Sequence, residues 1–172
     1  MTTPRSADTA RRTLHIVDAD NLTGGPTEYQ CVADEAASRY RAAAGVRVGD
    51  LVVVGSDLRS AAVTAFSWPT ATLRRTTGTD AVDHMLLQDL TPSFVEARFD
   101  RVVLGSGDGI FAGRLARLRA AGLRVHVVAV AGSVSWRLYP VAHQVTIVES
   151  VSSCADEACR LPVGRGSLQL AA

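Results

Sequence analysis

The sequence predicts an α/β protein, a single Rossmann-like three-layer sandwich with a mainly parallel sheet. Short apolar runs alternate with helical stretches along the chain, and parallel strands need crossovers of that kind. A length of 172 residues, 47% of them apolar, suits one ordinary domain with a full core. No internal repeat or long linker divides it. The folded domain is expected over residues 13–149, between a flexible segment at 1–12 and a peripheral tail at 150–172 that has little pattern.

The elements follow from local pattern. Residues 14–17 form a short apolar strand that ends in acid, and residues 28–44 form a helix stopped by Gly45. The β-branched run 51–54 is a buried strand, 58–66 a short helix, and 71–76 a polar strand of edge character. Val82, Met85, Leu86 and Leu90 recur at helical spacing over 82–95, where Pro92 must break or end the helix. The cleanest strand–helix–strand unit is 101–104, 110–121 and 125–130, with Gly122 as the C-cap glycine. A short helix over 135–142, interrupted by Pro140, and a last strand at 145–148 complete the set.

Composition excludes several chemistries. Net charge is +1, so any phosphate-binding surface must come from local clustering. All 18 basic residues are arginine. Without lysine there is no Walker P-loop and no Schiff base. Cys31, Cys154 and Cys159 lack the spacing of a disulfide framework or zinc site and read as idle or buried thiols. No apolar run approaches the ~20 residues that span a bilayer, and the first dozen residues carry no signal-peptide core. A soluble, cytoplasmic protein is expected.

In doubly wound sheets ligands bind beyond the carboxyl ends of the strands, where strand order reverses. Aspartates follow the strands here. The first strand runs into Asp18-Ala19-Asp20-Asn21, and the run ending at Leu104 continues as Gly105-Ser106-Gly107-Asp108-Gly109. Thr79-Asp80-Ala81-Val82-Asp83 opens the central helix. If the first and fourth strands are neighbours, Asp18 and Asp108 converge and Asp83 can join them. Three close carboxylates cannot all stay ionised unaided, and Mg²⁺ or Mn²⁺ would resolve the repulsion. Such a metal activates water and stabilises in-line phosphoryl displacement. Each acid also has a plainer reading: Asp108 and Asp57 as helix caps, and Asp80 with Asp83 as an approximate capping box. Asp18 resists it, because a charge right after a buried strand is costly without a partner. A dinucleotide loop fits poorly, since Asp108 would repel a pyrophosphate, and haloacid-dehalogenase phosphatases and response-regulator receivers both use a Lys.

Three blocks carry a family resemblance. They are Ile16-Val17-Asp18-Ala19-Asp20-Asn21-Leu22, Ala81-Val82-Asp83-His84-Met85-Leu86-Leu87-Gln88-Asp89, and Val103-Leu104-Gly105-Ser106-Gly107-Asp108-Gly109-Ile110-Phe111, with Ser135 further on. Over residues 13–148 the chain resembles the NYN domains of the PIN-like ribonuclease superfamily. The resemblance implies a metal-dependent ribonuclease, with Asp18, Asp83 and Asp108 as catalytic, metal-binding acids and Asn21 and Ser106 in support. The sequence departs from the family at two places. Ile110 stands where many members have a second acid, and Ala81 replaces the usual Gly before the central Asp. The fourth acid is left open among Asp20, Asp80 and Asp89. Asp89 lies about 240° around the helix from Asp83 at 3.6 residues per turn, so both cannot point straight into one site.

The expected partner is RNA, single-stranded or structured; a membrane is not expected, and a homodimer is admitted. Aromatics are 5% of the chain, so backbone contact by arginine is expected over base stacking. Arg74 and Arg75, before the Asp80 turn, and Arg114 with Arg117, after Asp108, are the candidates. His84 alone of the histidines could edge the site; His15, His126 and His143 read as structural. The competing reading is a catalytically degenerate NYN domain that binds RNA or a protein without cutting. A small-molecule phosphatase ranks third.

Overall fold

Six strands, all parallel, take the order β3-β2-β1-β4-β5-β6 in the computed structural model, which describes residues 12–78 and 80–151. They are β1 (Thr13–Asp18), β2 (Leu51–Asp57), β3 (Thr72–Thr76), β4 (Arg101–Gly105), β5 (Arg124–Val130) and β6 (Gln144–Val148). Strand order reverses at the β1–β4 pair, where Val17 lies opposite Gly105. That is the neighbour relation on which convergence of Asp18 and Asp108 depends. The central strands β1, β4 and β5 are almost wholly buried, whereas the edge strands β3 and β6 are half exposed. The polar composition of residues 71–76 thus matches an edge position.

Alternation of side chains sends each strand's residues to two separate cores. Leu14, Ile16, Val102, Leu104, Val125 and Val127 pack against α4 (Ala81–Asp89), α5 (Pro92–Glu96) and α6 (Ala112–Ala120). Val17, Val54, Val103 and Val128 pack on the other face against α1 (Ala19–Thr23) and α2 (Gln30–Ala44), with Trp68 just past α3 (Ala61–Ser67). Helices on both faces of one parallel sheet make the expected three-layer sandwich.

Local chemistry sets the boundaries. Gly45 ends α2 in the left-handed region at φ 65°, and its N–H donates to the Arg41 carbonyl. Pro92 divides residues 82–95 into two helices and occupies the first turn of the second, where its missing N–H costs nothing. Two elements differ from expectation. The five-residue α1 follows β1 directly and is too short to leave a periodic signal. The helix expected over 135–142 shrinks to a 3₁₀ turn, Trp136–Leu138, because Pro140 cannot donate to a continuing ladder. Among the described residues no helix is long and apolar enough to cross a membrane. The expectations for residues 1–11, for Cys154 and Cys159 and for the tail from residue 152 lie outside the described residues.

Candidate metal centre

Asp18 is the last residue of β1 and the N-cap of α1, and its Oδ1 accepts the Asn21 N–H at 3.1 Å. It is 6% exposed. Burial raises its pKa to about 7; the Asn21 hydrogen bond opposes the shift, and the charge of Asp83 adds to it. Asp83 reaches the same place from the first turn of α4. Glycine at position 55, opposite Asp18 in the β1–β2 register, makes room for that turn. A Cβ there would lie 2.8 Å from Val82 and 2.9 Å from Leu86.

The two carboxyls lie close enough to perturb each other. Burial, followed by the charge of Asp108, raises the Asp83 pKa as well. Asp83 Oδ1 is buried and has no hydrogen-bond partner among the described residues. A carboxylate oxygen in that position is costly unless something cationic meets it.

Asp108 follows β4 and is half buried; its Oδ1 accepts the Ile110 N–H at 2.8 Å, so it caps the 3₁₀ turn Gly109–Phe111. Its charge is felt by Asp83, yet among the described residues no three His, Cys, Asp or Glu side chains gather closely enough to hold one ion. The orphaned Asp83 oxygen beside the buried Asp18 carboxyl therefore suits a hard divalent cation. Asp108 stands within electrostatic reach with its carboxylate turned to the cap.

Of the supporting residues, Asn21 ties the β1 and β4 loops together and Ser106 braces the β4 loop. Asn21 Oδ1 accepts the Gly107 N–H at 2.9 Å, and the fully buried Ser106 Oγ accepts the Asp108 N–H at 3.2 Å. Both side chains are spent on the loops and act as braces. Asp20 faces away from the pair: its carboxylate accepts the Asp57 N–H and the Ser60 Oγ–H, each at 2.6 Å. Asp80 takes the left-handed conformation at φ 58°, which Asp tolerates better than most residues. Its side chain makes no cap hydrogen bond, and its carbonyl accepts from the His84 backbone N–H. The capping-box reading of Asp80 with Asp83 thus does not describe the helix start. His84 is exposed at this rim, its Nδ1 2.8 Å from the same carbonyl.

The arginines are dispersed. Arg74 pairs bidentately with Asp89, Nε to Oδ2 at 3.0 Å and an Nη to Oδ1 at 2.9 Å. Both members of that pair are thereby engaged. Arg75 is exposed on β3, Arg114 donates to the Leu90 carbonyl at 3.4 Å, and Arg117 is exposed on α6. In the loop after β5 the sequence pointed to Ser135 but not to its neighbours. There Ser133, Ser135, exposed Trp136 and Arg137 face the Asp108 loop across an open cleft. The signal available was an aromatic beside an arginine after a strand end, in a segment read as helix.

The NYN domain family model matches residues 12–149. Among solved structures, a protein of unknown function from Vibrio parahaemolyticus superposes with a TM-score of 0.59 at 17% identity. The match covers 91% of this chain and all of that one. This likeness bears on the fold. A pyrazinamidase/nicotinamidase from Streptococcus mutans aligns over 80% of this chain and 99% of its own, at 15% identity and a TM-score of 0.39. A likeness that slight carries no argument. No curated protein matches the sequence.

Proposed function

The chain belongs to the NYN domain family, and from that premise we propose that it is a metal-dependent ribonuclease that hydrolyses RNA phosphodiester bonds. The observation that carries this reading is the buried Asp83 Oδ1 without a partner among the described residues, beside Asp18, at the point where strand order reverses. Asp18 and Asp83 would hold Mg²⁺ or Mn²⁺, and Asp108 would join them by turning from its cap. Such an ion supplies Lewis-acid activation of water and neutralises charge at the scissile phosphate.

The protein's own residues supply placement. Asn21 and Ser106 fix the loops that carry Asp18 and Asp108, so the acids keep their separation when one ionises. Burial raises the Asp18 pKa to about 7, so its proton would leave when a cation enters beside Asp83. Arg75 and Arg114 are the cations available near the sheet's carboxyl end for RNA phosphates, while Arg74 steadies Asp89 on α4.

The second reading, a domain that binds RNA or a protein without cutting, is favoured by the Asp108 cap and the incomplete trio. Cleavage of single-stranded RNA with Mn²⁺, by wild type and by Asp18→Asn, separates the two. A nuclease loses cleavage in the variant and in chelator while its fold persists. A binding module cleaves under no condition and binds RNA equally with and without the ion.

A further inference from the structure

Gly107 and Gly109 let two loops close on each other beside the acids. A Cβ at Gly107 would come within 2.3 Å of the Ser133 carbonyl oxygen, and one at Gly109 within 2.5 Å of Ser135 Oγ. The Ser135 N–H donates to the Gly107 carbonyl at 2.8 Å, which pins the loops together. Between them lies a cleft of about 570 Å³, with Asp108 and Ile110 on one wall and Ser133, Ser135, Trp136 and Arg137 on the other. That volume falls within the roughly 300–1,000 Å³ that small-molecule sites occupy.

The wall offers a flat aromatic face and a free cation. Trp136 is 75% exposed, whereas Trp68, the chain's other tryptophan, is 5% exposed. The Arg137 guanidinium stands 5.8 Å from the Trp136 ring centroid and enters no ion pair among the described residues. Indole left in water beside an unneutralised guanidinium suits a ligand that is planar at one end and anionic at the other. Asp108 lines this cleft and stands within electrostatic reach of Asp83, so the ligand would lie beside the acid site.

We infer that the cleft is the subsite for an unpaired nucleotide of the RNA, its base stacked on Trp136 against Ile110 and its phosphate at Arg137. Bases within a duplex are already stacked on one another and cannot present a face to Trp136, so the subsite selects single strands. Stacking tolerates every base, so the site reads strandedness over sequence. This inference rests on the ribonuclease reading for the identity of the polymer.

Tryptophan emission tests it. Wild type in chelator is titrated with short oligoadenylate and with a duplex of the same length, beside Trp136→Phe and Trp136→Ala. Cleavage with Mn²⁺ is followed in parallel. Oligoadenylate should quench the solvent-exposed emission of wild type, and the duplex should not. Trp136→Ala should weaken oligoadenylate binding roughly five- to 150-fold. It should also raise KM with little change in kcat, and Trp136→Phe should retain most of the affinity. Oligoadenylate bound or cleaved equally well by Trp136→Ala, without quenching in wild type, overturns the subsite and leaves the ribonuclease standing. Quenching without any cleavage keeps the subsite and removes the nuclease. Neither binding nor quenching removes both.

Discussion

The two ends of the sheet bury polar groups in opposite ways. Toward the amino ends of the strands, His15 is fully buried, its Nδ1 3.0 Å from Tyr40 Oη and its Nε2 3.3 Å from an Asp50 carboxylate oxygen. Arg101 donates to the Ala44 carbonyl at 3.3 Å and to His126 Nδ1 at 2.8 Å, and His126 Nε2 meets Thr146 Oγ1 at 2.9 Å. Burial and the neighbouring Arg101 charge push the His126 pKa down to about 4, so its ring stays neutral and can accept from the arginine. Every part of that network has a mate. At the carboxyl ends two buried acids perturb each other, burial holds a proton on one, and one oxygen has no partner among the described residues. Satisfied burial is architecture; unsatisfied burial at a switch point marks where a ligand completes the structure.

The largest effect that sharpens this contrast is on cleavage. Asp18→Asn should lower the Mn²⁺-dependent rate by more than about a hundred-fold, the upper range for residues that merely support a ligand. Tyr40→Phe, at the amino ends, should leave the rate within about two-fold. Comparable losses in both would erase the distinction.

The pH dependence of stability comes next. In the metal-free fold Asp18 holds its proton up to about pH 7, against an ordinary carboxyl value of 3.8. The native state thus binds more protons than the unfolded chain between those values. Stability from this group is present below about pH 4 and declines as pH rises to about 7. Denaturant unfolding of Asp18→Asn should lack that decline and exceed wild type at pH 8 by up to a few kcal/mol. An unchanged profile would mean that Asp18 is ordinary.

Tyr40→Phe has its own cost, in stability. Removing the hydroxyl strands His15 Nδ1 in a buried site and should cost about 1–3 kcal/mol by chemical denaturation. The smallest effect belongs to Asp89→Asn. Its ion pair with Arg74 is partly exposed, at 21% and 39% for the two side chains, so below about 1 kcal/mol is expected. A larger loss there would show that the acid site depends on α4 being held to β3.

The strands and the order of the three acid blocks were legible because buried parallel strands read as continuous apolar runs, and β1, β2 and β4 end abruptly in Asp18, Asp57 and Gly105. Pairings across the fold were not. Asp20 remained open as a metal ligand because its partners, the Asp57 N–H and Ser60, lie 37 and 40 residues away and meet it only once β2 packs beside β1. Asp89 was ambiguous until Arg74, on the neighbouring edge strand, took up its carboxylate. Trp136 escaped notice because composition counts aromatics without saying which are exposed, and its loop was read as helix. The Asp18–Asp83 contact depended on Gly55, whose missing Cβ signals nothing until a helix is seen against it.

Calorimetric titration of the metal-free protein with Mn²⁺, repeated near pH 6 in buffers of different ionisation enthalpy, tests the paired acids most directly. The account predicts that binding releases close to one proton per ion, because the cation displaces the proton that burial keeps on Asp18. It also predicts that Asp83→Asn abolishes both binding and release. Heat that is independent of buffer and unchanged in Asp83→Asn would contradict it, and would place any cation away from this pair.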